Sequence, residues 1–280
     1  QLQWLIDTGA RLQQYLSLAR SLDTRLRINL EIDVGLHRGG FVADDALRAA
    51  LRVIRDNPEH LVFAGFMGYD AHLMGLPGML ARAELPRVKS RYADCVGLLR
   101  AEFPGLYAGR LCFNGAGSPT LHHYEGDALV NDISAGTCLV KPTHYDLDSL
   151  ADFEPAAFIA TPVLKRLQGA RLPALGWTGP LIRAWDRNQL QTYFGYSGNW
   201  MADCESPPGL SPHFAYASSN QQGYNASSSV DIDVDDFIFL RPQQSEAVLL
   251  QFGDLLALRG EAIVDRWPVL SAGRPVAPAA

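Results

Sequence analysis

Apolar positions in the first half of the chain alternate between two rhythms. Leu2-Gln3-Trp4-Leu5-Ile6 reads as extended. After Asp7 or Thr8, either of which can cap a helix, Leu12, Leu16 and Ala19 recur at helical spacing. A strand is predicted over Leu26 to Val34. A helix follows over Ala43 to Asp56, with Leu47, Leu51 and Ile54 on one face, then a strand over Leu61 to Met67. The next helix runs from Arg87 to Phe103 with Val88, Cys95, Leu98 and Leu99 inward, before a strand at Gly109 to Phe113. Leu129 to Ile133 and Thr137 to Val140 continue in extended form. This alternation predicts an α/β arrangement, a parallel sheet covered by helices, whose ligands sit at the carboxyl ends of the strands.

Near Phe153 the texture changes. Ala157 to Val163 alternates in polarity, and Gly, Pro, Asn and Ser then dominate as far as Ser229. Strand-like runs return at Asp236 to Leu240, Ala247 to Phe252 and Ala262 to Val269. The expected organisation is an α/β domain over residues 1–152 and a smaller, loop-rich β domain over residues 153–280, with Ser271 to Ala280 as a loose tail.

Composition narrows the class. A chain of 280 residues that is 48% hydrophobic can bury a large core, and a net charge of −6 without a basic patch excludes a nucleic-acid binder. No apolar run reaches the ~18 residues that span a bilayer. Cys95, Cys112, Cys138 and Cys204 show no metal or disulfide spacing, so reduced thiols in a cytoplasmic protein are expected. The chain opens at Gln1 inside a strand pattern, and is therefore expected to be part of a longer protein.

Four constellations fall at strand ends. Asn114-Gly115-Ala116-Gly117-Ser118-Pro119-Thr120 follows a strand, and its glycines and hydroxyls suit a phosphate or another oxyanion. Glu31-Ile32-Asp33-Val34-Gly35-Leu36-His37-Arg38-Gly39-Gly40 places a cation among glycines, able to reach a ligand or to pair with Glu31 or Asp33. Gly65-Phe66-Met67-Gly68-Tyr69-Asp70-Ala71-His72 offers an aromatic to pack on a planar ligand and a histidine to hydrogen-bond. Asn131-Asp132-Ile133-Ser134-Ala135-Gly136-Thr137 turns a carboxylate to the same end.

In this order the set resembles the fold-type III pyridoxal-phosphate enzymes of the D-threonine aldolase and D-serine dehydratase group, relatives of alanine racemase. Glu31-x-Asp33-x-Gly35-x-x-Arg38-x-Gly40 looks like the family's strand-end arginine motif. Tyr69-Asp70-Ala71-His72 resembles its Tyr-x-Gly-His element, with Ala71 in place of glycine. Gly115-Ala116-Gly117-Ser118-Pro119-Thr120 is similar to its Gly-Gly-Gly-Thr-Gly-Thr phosphate cup, and Asp132-Ile133-Ser134-Ala135-Gly136 to its Glu-(Leu/Ile)-x-x-Gly turn. Ile263-Val264-Asp265-Arg266-Trp267-Pro268-Val269 matches the ending of the group's β domain.

The resemblance implies a partial (β/α)8 TIM-like barrel, containing only the later strands, followed by the β domain. It implies pyridoxal phosphate as cofactor, with Gly115, Gly117, Ser118 and Thr120 on the phosphate. Arg38 would lie near the pyridine nitrogen, which a permanently charged donor keeps unprotonated. Tyr69 would lie beside the ring, with His72 supporting Arg38 or Tyr69. It also implies a homodimer, for which Tyr193-Phe194-Gly195-Tyr196 and Trp200 are candidate contact aromatics.

Two departures qualify the likeness. The family's Schiff-base lysine lies on the first barrel strand, before the point where this chain begins, and Lys89, Lys141 and Lys165 match no lysine motif. The family's His-x-Cys metal pair is replaced by Gln244 and Glu246 in Arg241-Pro242-Gln243-Gln244-Ser245-Glu246. Glutamine is a poor zinc ligand, so a metal-free site is expected, the alternative being a hard ion held by Glu246 and waters. Glu246 is then a candidate general acid, as a buried carboxyl with a raised pKa.

The leading expectation is a pyridoxal-phosphate lyase acting on a small D-β-hydroxy amino acid, by dehydration and deamination or by retro-aldol cleavage. Tyr69 and Glu246 are its candidate catalytic residues, and this chain alone is expected to be inactive. The alternatives are a racemase- or epimerase-like enzyme and a non-catalytic cofactor binder.

Overall fold

The computed structural model describes residues 2–169 and 171–269, and the chain divides into two compact units, Gln1–Gly136 and Thr137–Ala280. The expected tail from Ser271 lies outside the described residues.

The first unit runs β1 (Trp4–Ile6), α1 (Gly9–Ser21), β2 (Leu26–Glu31), α2 (Asp45–Arg55), β3 (Leu61–Met67), α3 (Gly78–Glu102), β4 (Cys112–Gly115) and β5 (Asp132–Ile133). Its five strands are all parallel, in the order β1-β2-β3-β4-β5. Thr8 caps α1, its side chain accepting from the Arg11 amide, and Asp44 caps α2 by accepting from the amides of Ala46 and Leu47. Each helix buries the predicted stripe against the sheet: Leu12, Leu16 and Ala19 from α1, and Leu47, Ala50, Leu51 and Ile54 from α2. A fully buried leucine contributes about 1.5–3 kcal/mol over an exposed one, so these stripes fix the helices on the sheet.

Three expectations change here. The third helix begins nine residues before Arg87, at Gly78, and continues through Pro86. Proline removes one helical N–H, but the 25-residue helix is held by the buried row Val88, Tyr92, Cys95, Val96, Leu98 and Leu99. The fourth strand lies later than Gly109 to Phe113, at Cys112–Gly115, so the first glycine of the Gly-rich segment still belongs to the ladder. Thr137 to Val140 is not extended, since Thr137–Leu139 forms a turn of 3-10 helix.

Gly65 sets the spacing of β3 and β4. Its φ is +144°, and a Cβ there would lie 1.8 Å from the Cys112 carbonyl oxygen. Only glycine allows both that backbone conformation and that approach. The buried Tyr92 hydroxyl then donates to the carbonyls of Phe66 and Asn114, each at 3.0 Å, tying the ends of β3 and β4 together.

The second unit contains β6 (Ile159–Gln168), α4 (Gly179–Trp185), β7 (Gln191–Tyr196), β8 (Ala202–Ser206), β9 (Ser211–Pro212), β10 (Gln221–Ala226), β11 (Phe237–Pro242), α5 (Ser245–Leu249), β12 (Leu255–Arg259) and β13 (Ala262–Trp267). Six of these strands form one sheet, β8-β11-β6-β7-β10-β9, antiparallel throughout, and β12-β13 is a separate hairpin. Ala247 to Phe252 is not a strand: Ser245–Leu249 is a short helix with Ser245 and Val248 buried, a spacing of three. The Arg241 guanidinium is buried, and it staples residues 141–146 to β11. It donates to the Lys141 carbonyl at 2.8 Å and to both Asp146 carboxylate oxygens at 2.5 and 3.1 Å. Among the described residues, no helix is long and apolar enough to cross a membrane.

Candidate functional site

The loops after β2, β3 and β4 meet at the carboxyl end of the parallel sheet. In the first loop, Asp33 accepts the amides of Gly35 and His37 at 2.9 and 3.0 Å and bonds the His37 ring at 2.8 Å. Partial burial pushes the Asp33 carboxyl up, but these bonds outweigh it and hold it below its ordinary value. The folded-back loop presents Arg38, whose guanidinium lies 5.1 Å from the Tyr69 ring centroid. Arg38 also reaches Glu31, but only at 3.8 Å. Burial raises the Glu31 pKa, and the Arg38 charge lowers it by less.

Tyr69 links the cation to the glycine cup. A Cβ on Gly117 would stand 2.6 Å from Tyr69 Cε2, so the ring rests directly on that glycine. Arg38, Tyr69 and Gly117 therefore form a row across three strand ends. The cup itself is buried: Ala116 is sealed at a φ of +63°, and Ser118 and Thr120 are nearly inaccessible. Ser118 Oγ accepts the Gly136 amide at 3.3 Å, which brings the turn after β5 to the cup. The Thr120 hydroxyl accepts the Gly117 amide at 3.0 Å and donates to Asp70 Oδ1 at 2.7 Å, so it shapes the cup from below. Gly115 ends β4, pressed against Val130.

Asp70 had no role in the sequence reading, yet it is 0% exposed and accepts from both Thr120 and the Tyr124 hydroxyl, the latter at 2.8 Å. Its partners lie 50 and 54 residues away, which is why local sequence gave no signal. His72 sits beside Gly35, with Arg91 and Glu84 close by, and among the described residues neither ring nitrogen has a hydrogen-bond partner. Among the described residues His72 therefore makes no hydrogen bond to Arg38 or Tyr69, the residues it was expected to support.

The residues expected from the second half differ more. Glu246 is exposed and its carboxylate accepts from the Thr137 hydroxyl at 2.6 Å. That bond holds its pKa below the ordinary value, where a buried carboxyl with a raised pKa was expected. Gln244 is exposed beside it. Tyr193 and Phe194 are buried, which removes them as contact aromatics, whereas Tyr196 remains exposed and Trp200 packs on Phe252 at 5.0 Å. All three lysines are engaged: Lys89 with Asp127 and the His123 carbonyl, Lys141 with the carbonyls of Leu150 and Phe153, and Lys165 with Gln221.

Comparison with solved structures places this fold. D-threonine aldolase from Filomicrobium marinum superposes with a TM-score of 0.71 at 17% identity, over 94% of this chain and 68% of the aldolase chain. D-threo-3-hydroxyaspartate dehydratase from Delftia sp. HT23 gives 0.69 at 16% identity, over 97% and 73%. Alanine racemase from Clostridium difficile 630 gives 0.58 at 13% identity, over 89% and 64%. No curated protein matches the chain. The profile of the alanine racemase N-terminal domain matches residues 1–143, more than half of the 280, and with the parallel sheet and its strand-end loops this makes the chain a member of that family.

Proposed function

We propose that the chain holds pyridoxal phosphate in a lyase that acts on a small D-amino acid bearing a β-hydroxyl. The observation that carries this reading is the row Arg38–Tyr69–Gly117, a cation, an aromatic wall and a glycine cup at adjacent strand ends. The row fits a planar, phosphorylated cofactor. The glycine at 117 leaves the wall flush with the cup, and Arg38 is only weakly engaged by Glu31. When bound, pyridoxal phosphate supplies an electron sink for bonds broken at the α-carbon of an amino acid. Backbone groups of Gly115 and Gly117, with Ser118, would hold the phosphate, and Thr120 and Asp70 would keep the cup in shape. Tyr69 would cover the ring face and Arg38 would donate to the ring nitrogen.

A lyase is favoured over a racemase by the named activities of the relatives: the aldolase and the hydroxyaspartate dehydratase superpose better than the racemase. Glu246, ionised at neutral pH, would accept a proton or orient a substrate ammonium group instead of acting as an acid. The protein would work as a homodimer.

The test is to supply pyridoxal phosphate and then D-threonine, D-threo-3-hydroxyaspartate or D-alanine to a polypeptide in which this chain is joined to the lysine-bearing first strand that the resemblance implies, since this chain alone is expected to be inactive. Aldehyde or keto-acid formation from the hydroxy amino acids is expected. L-alanine as the sole product would replace the lyase reading by a racemase, and retention of cofactor without any product would leave a binding protein. Borohydride reduction followed by mass spectrometry is expected to leave Lys89, Lys141 and Lys165 unmodified, because each ammonium group is already bonded to protein oxygens.

A further inference from the structure

The second unit contains a cavity of about 510 Å3 on the β6-β7-β10 side of its sheet, bordered by the segment at 213–221. This is within the usual size range of small-molecule sites. Its walls include Lys165, Arg171, Phe194, His213, Tyr216 and Gln221, and among the described residues no Asp or Glu lines it. Any ligand there meets two cations and no competing carboxylate.

His213 is the unusual wall residue. It is 2% exposed, and its Nδ1 accepts the Ala215 amide at 3.0 Å. That bond fixes the tautomer, because an Nδ1 that accepts places the ring proton on Nε2. Burial pushes the imidazole pKa down, so the ring is neutral at neutral pH and Nε2 is a neutral donor. Among the described residues Nε2 has no hydrogen-bond partner, and His213 lines the cavity. A buried donor left without a protein acceptor is costly unless water or a ligand supplies one.

The other walls are aromatic. Tyr216 lies 5.6 Å from Phe194 and 5.0 Å from the His213 ring, at inclinations of 58° and 41°. Lys165 Nζ lies 4.8 Å from the Phe194 centroid and bonds Gln221 Oε1 at 2.7 Å, which holds the ammonium group at the cavity wall. One neutral N–H, two cations and a wall of rings suit a flat, singly charged ligand. A phosphate would call for converging backbone amides.

We propose that this cavity binds a small aromatic carboxylate, its ring against Phe194 and Tyr216 and its carboxylate between Lys165, Arg171 and His213 Nε2–H.

Benzoate is the probe, titrated into the full chain and followed by saturation-transfer NMR. Acetate, benzyl alcohol and inorganic phosphate serve as ligands lacking the ring, the charge, or both ring and planarity. Benzoate is expected to saturate a single site, and each control to bind at least about tenfold more weakly, the scale of losing one charged hydrogen bond or a ring contact. Lys165→Gln and His213→Gln are each expected to weaken benzoate about tenfold. His213 is buried, so its variant is compared only if its circular dichroism matches the parent; Lys165 is exposed, and its variant decides the matter alone. Unchanged benzoate affinity in Lys165→Gln overturns the proposal, as does acetate, benzyl alcohol or phosphate binding as tightly as benzoate.

Discussion

Asp70 Oδ1 accepts a 2.7 Å hydrogen bond from the Thr120 hydroxyl, so a fully buried carboxylate after β3 holds the glycine cup after β4. A second bond, from Tyr124, shares the same anion. Asp70→Ala should therefore deprive two buried hydroxyls of their carboxylate acceptor. Each hydrogen bond to a charged group contributes roughly 1.5–3 kcal/mol, so a loss of about 3 kcal/mol or more is expected in urea denaturation. Asp70→Asn keeps one acceptor oxygen and should lose about half as much.

The contact between Tyr69 and Gly117 predicts a coupled pair. Gly117→Ala should displace the ring and weaken pyridoxal phosphate retention about tenfold or more, read by equilibrium dialysis. In a Tyr69→Ala background the same substitution has room, and its extra effect should nearly vanish. Equal effects in both backgrounds would mean that the glycine serves something other than the ring.

Acid sensitivity follows from Asp33 and Asp127. Burial raises the Asp127 pKa, but Lys89 and the amides of Val130 and Leu129 outweigh it, so the folded value lies below the ordinary 3.8. A carboxyl lowered by folding contributes stability above its unfolded value and loses it as pH falls through the folded one. Stability should therefore fall below about pH 4, and Lys89→Met should flatten that fall. Glu31, raised from 4.5, acts in the opposite sense: its contribution is present at low pH and is lost as pH rises through its folded value. Glu31→Gln should thus be neutral or stabilising at pH 7.

In the second unit Arg241 carries the largest single load of buried hydrogen bonds to residues 141–146. The guanidinium is buried but the Asp146 carboxylate is 54% exposed, so Arg241→Ala leaves no buried charge behind and is expected to cost about 1.5–3 kcal/mol, the scale of a lost hydrogen bond to a charged group. Arg241→Lys should recover little, because a point charge cannot span the Lys141 carbonyl and both Asp146 oxygens.

Metal dependence is testable by chelation. Gln244 and Glu246 offer a neutral carbonyl and one carboxylate, without the thiolate or imidazole that zinc favours. EDTA should leave turnover of a D-β-hydroxy amino acid largely intact in an enzyme that joins this chain to the family's lysine-bearing strand. Loss of activity that zinc restores would mean that other residues bind it.

The first unit was legible because its strands and helices bury whole faces, so that Leu47, Leu51 and Ile54 announced α2 by spacing alone. The glycine cup and Arg38 stood out as residue types unusual at a strand end. Asp70 did not, since its role exists only through Thr120 and Tyr124. The second unit hid more. β7 and β10 are rich in Gln, Asn, Thr and Gly, and their inward residues include Thr192 and Asn225, which bond each other at 2.9 Å. Buried polar pairs of this kind leave no hydrophobic rhythm to read. The short apolar run at Ala247 to Phe252 fits strand or helix equally, and only tertiary burial of Val248 decided it.

Gly65 has a consequence for how this protein tolerates sequence change. A side chain there meets the backbone of Cys112, so it moves β4 and with it the cup, some five residues downstream of that contact. In a mutational scan scored on activity, position 65 would stand out as strongly as Arg38, although it contacts no ligand. Abundance measured in parallel separates the two. Variants at Gly65 should vanish from the soluble pool, whereas variants at the 61%-exposed Arg38 should persist there, folded and silent.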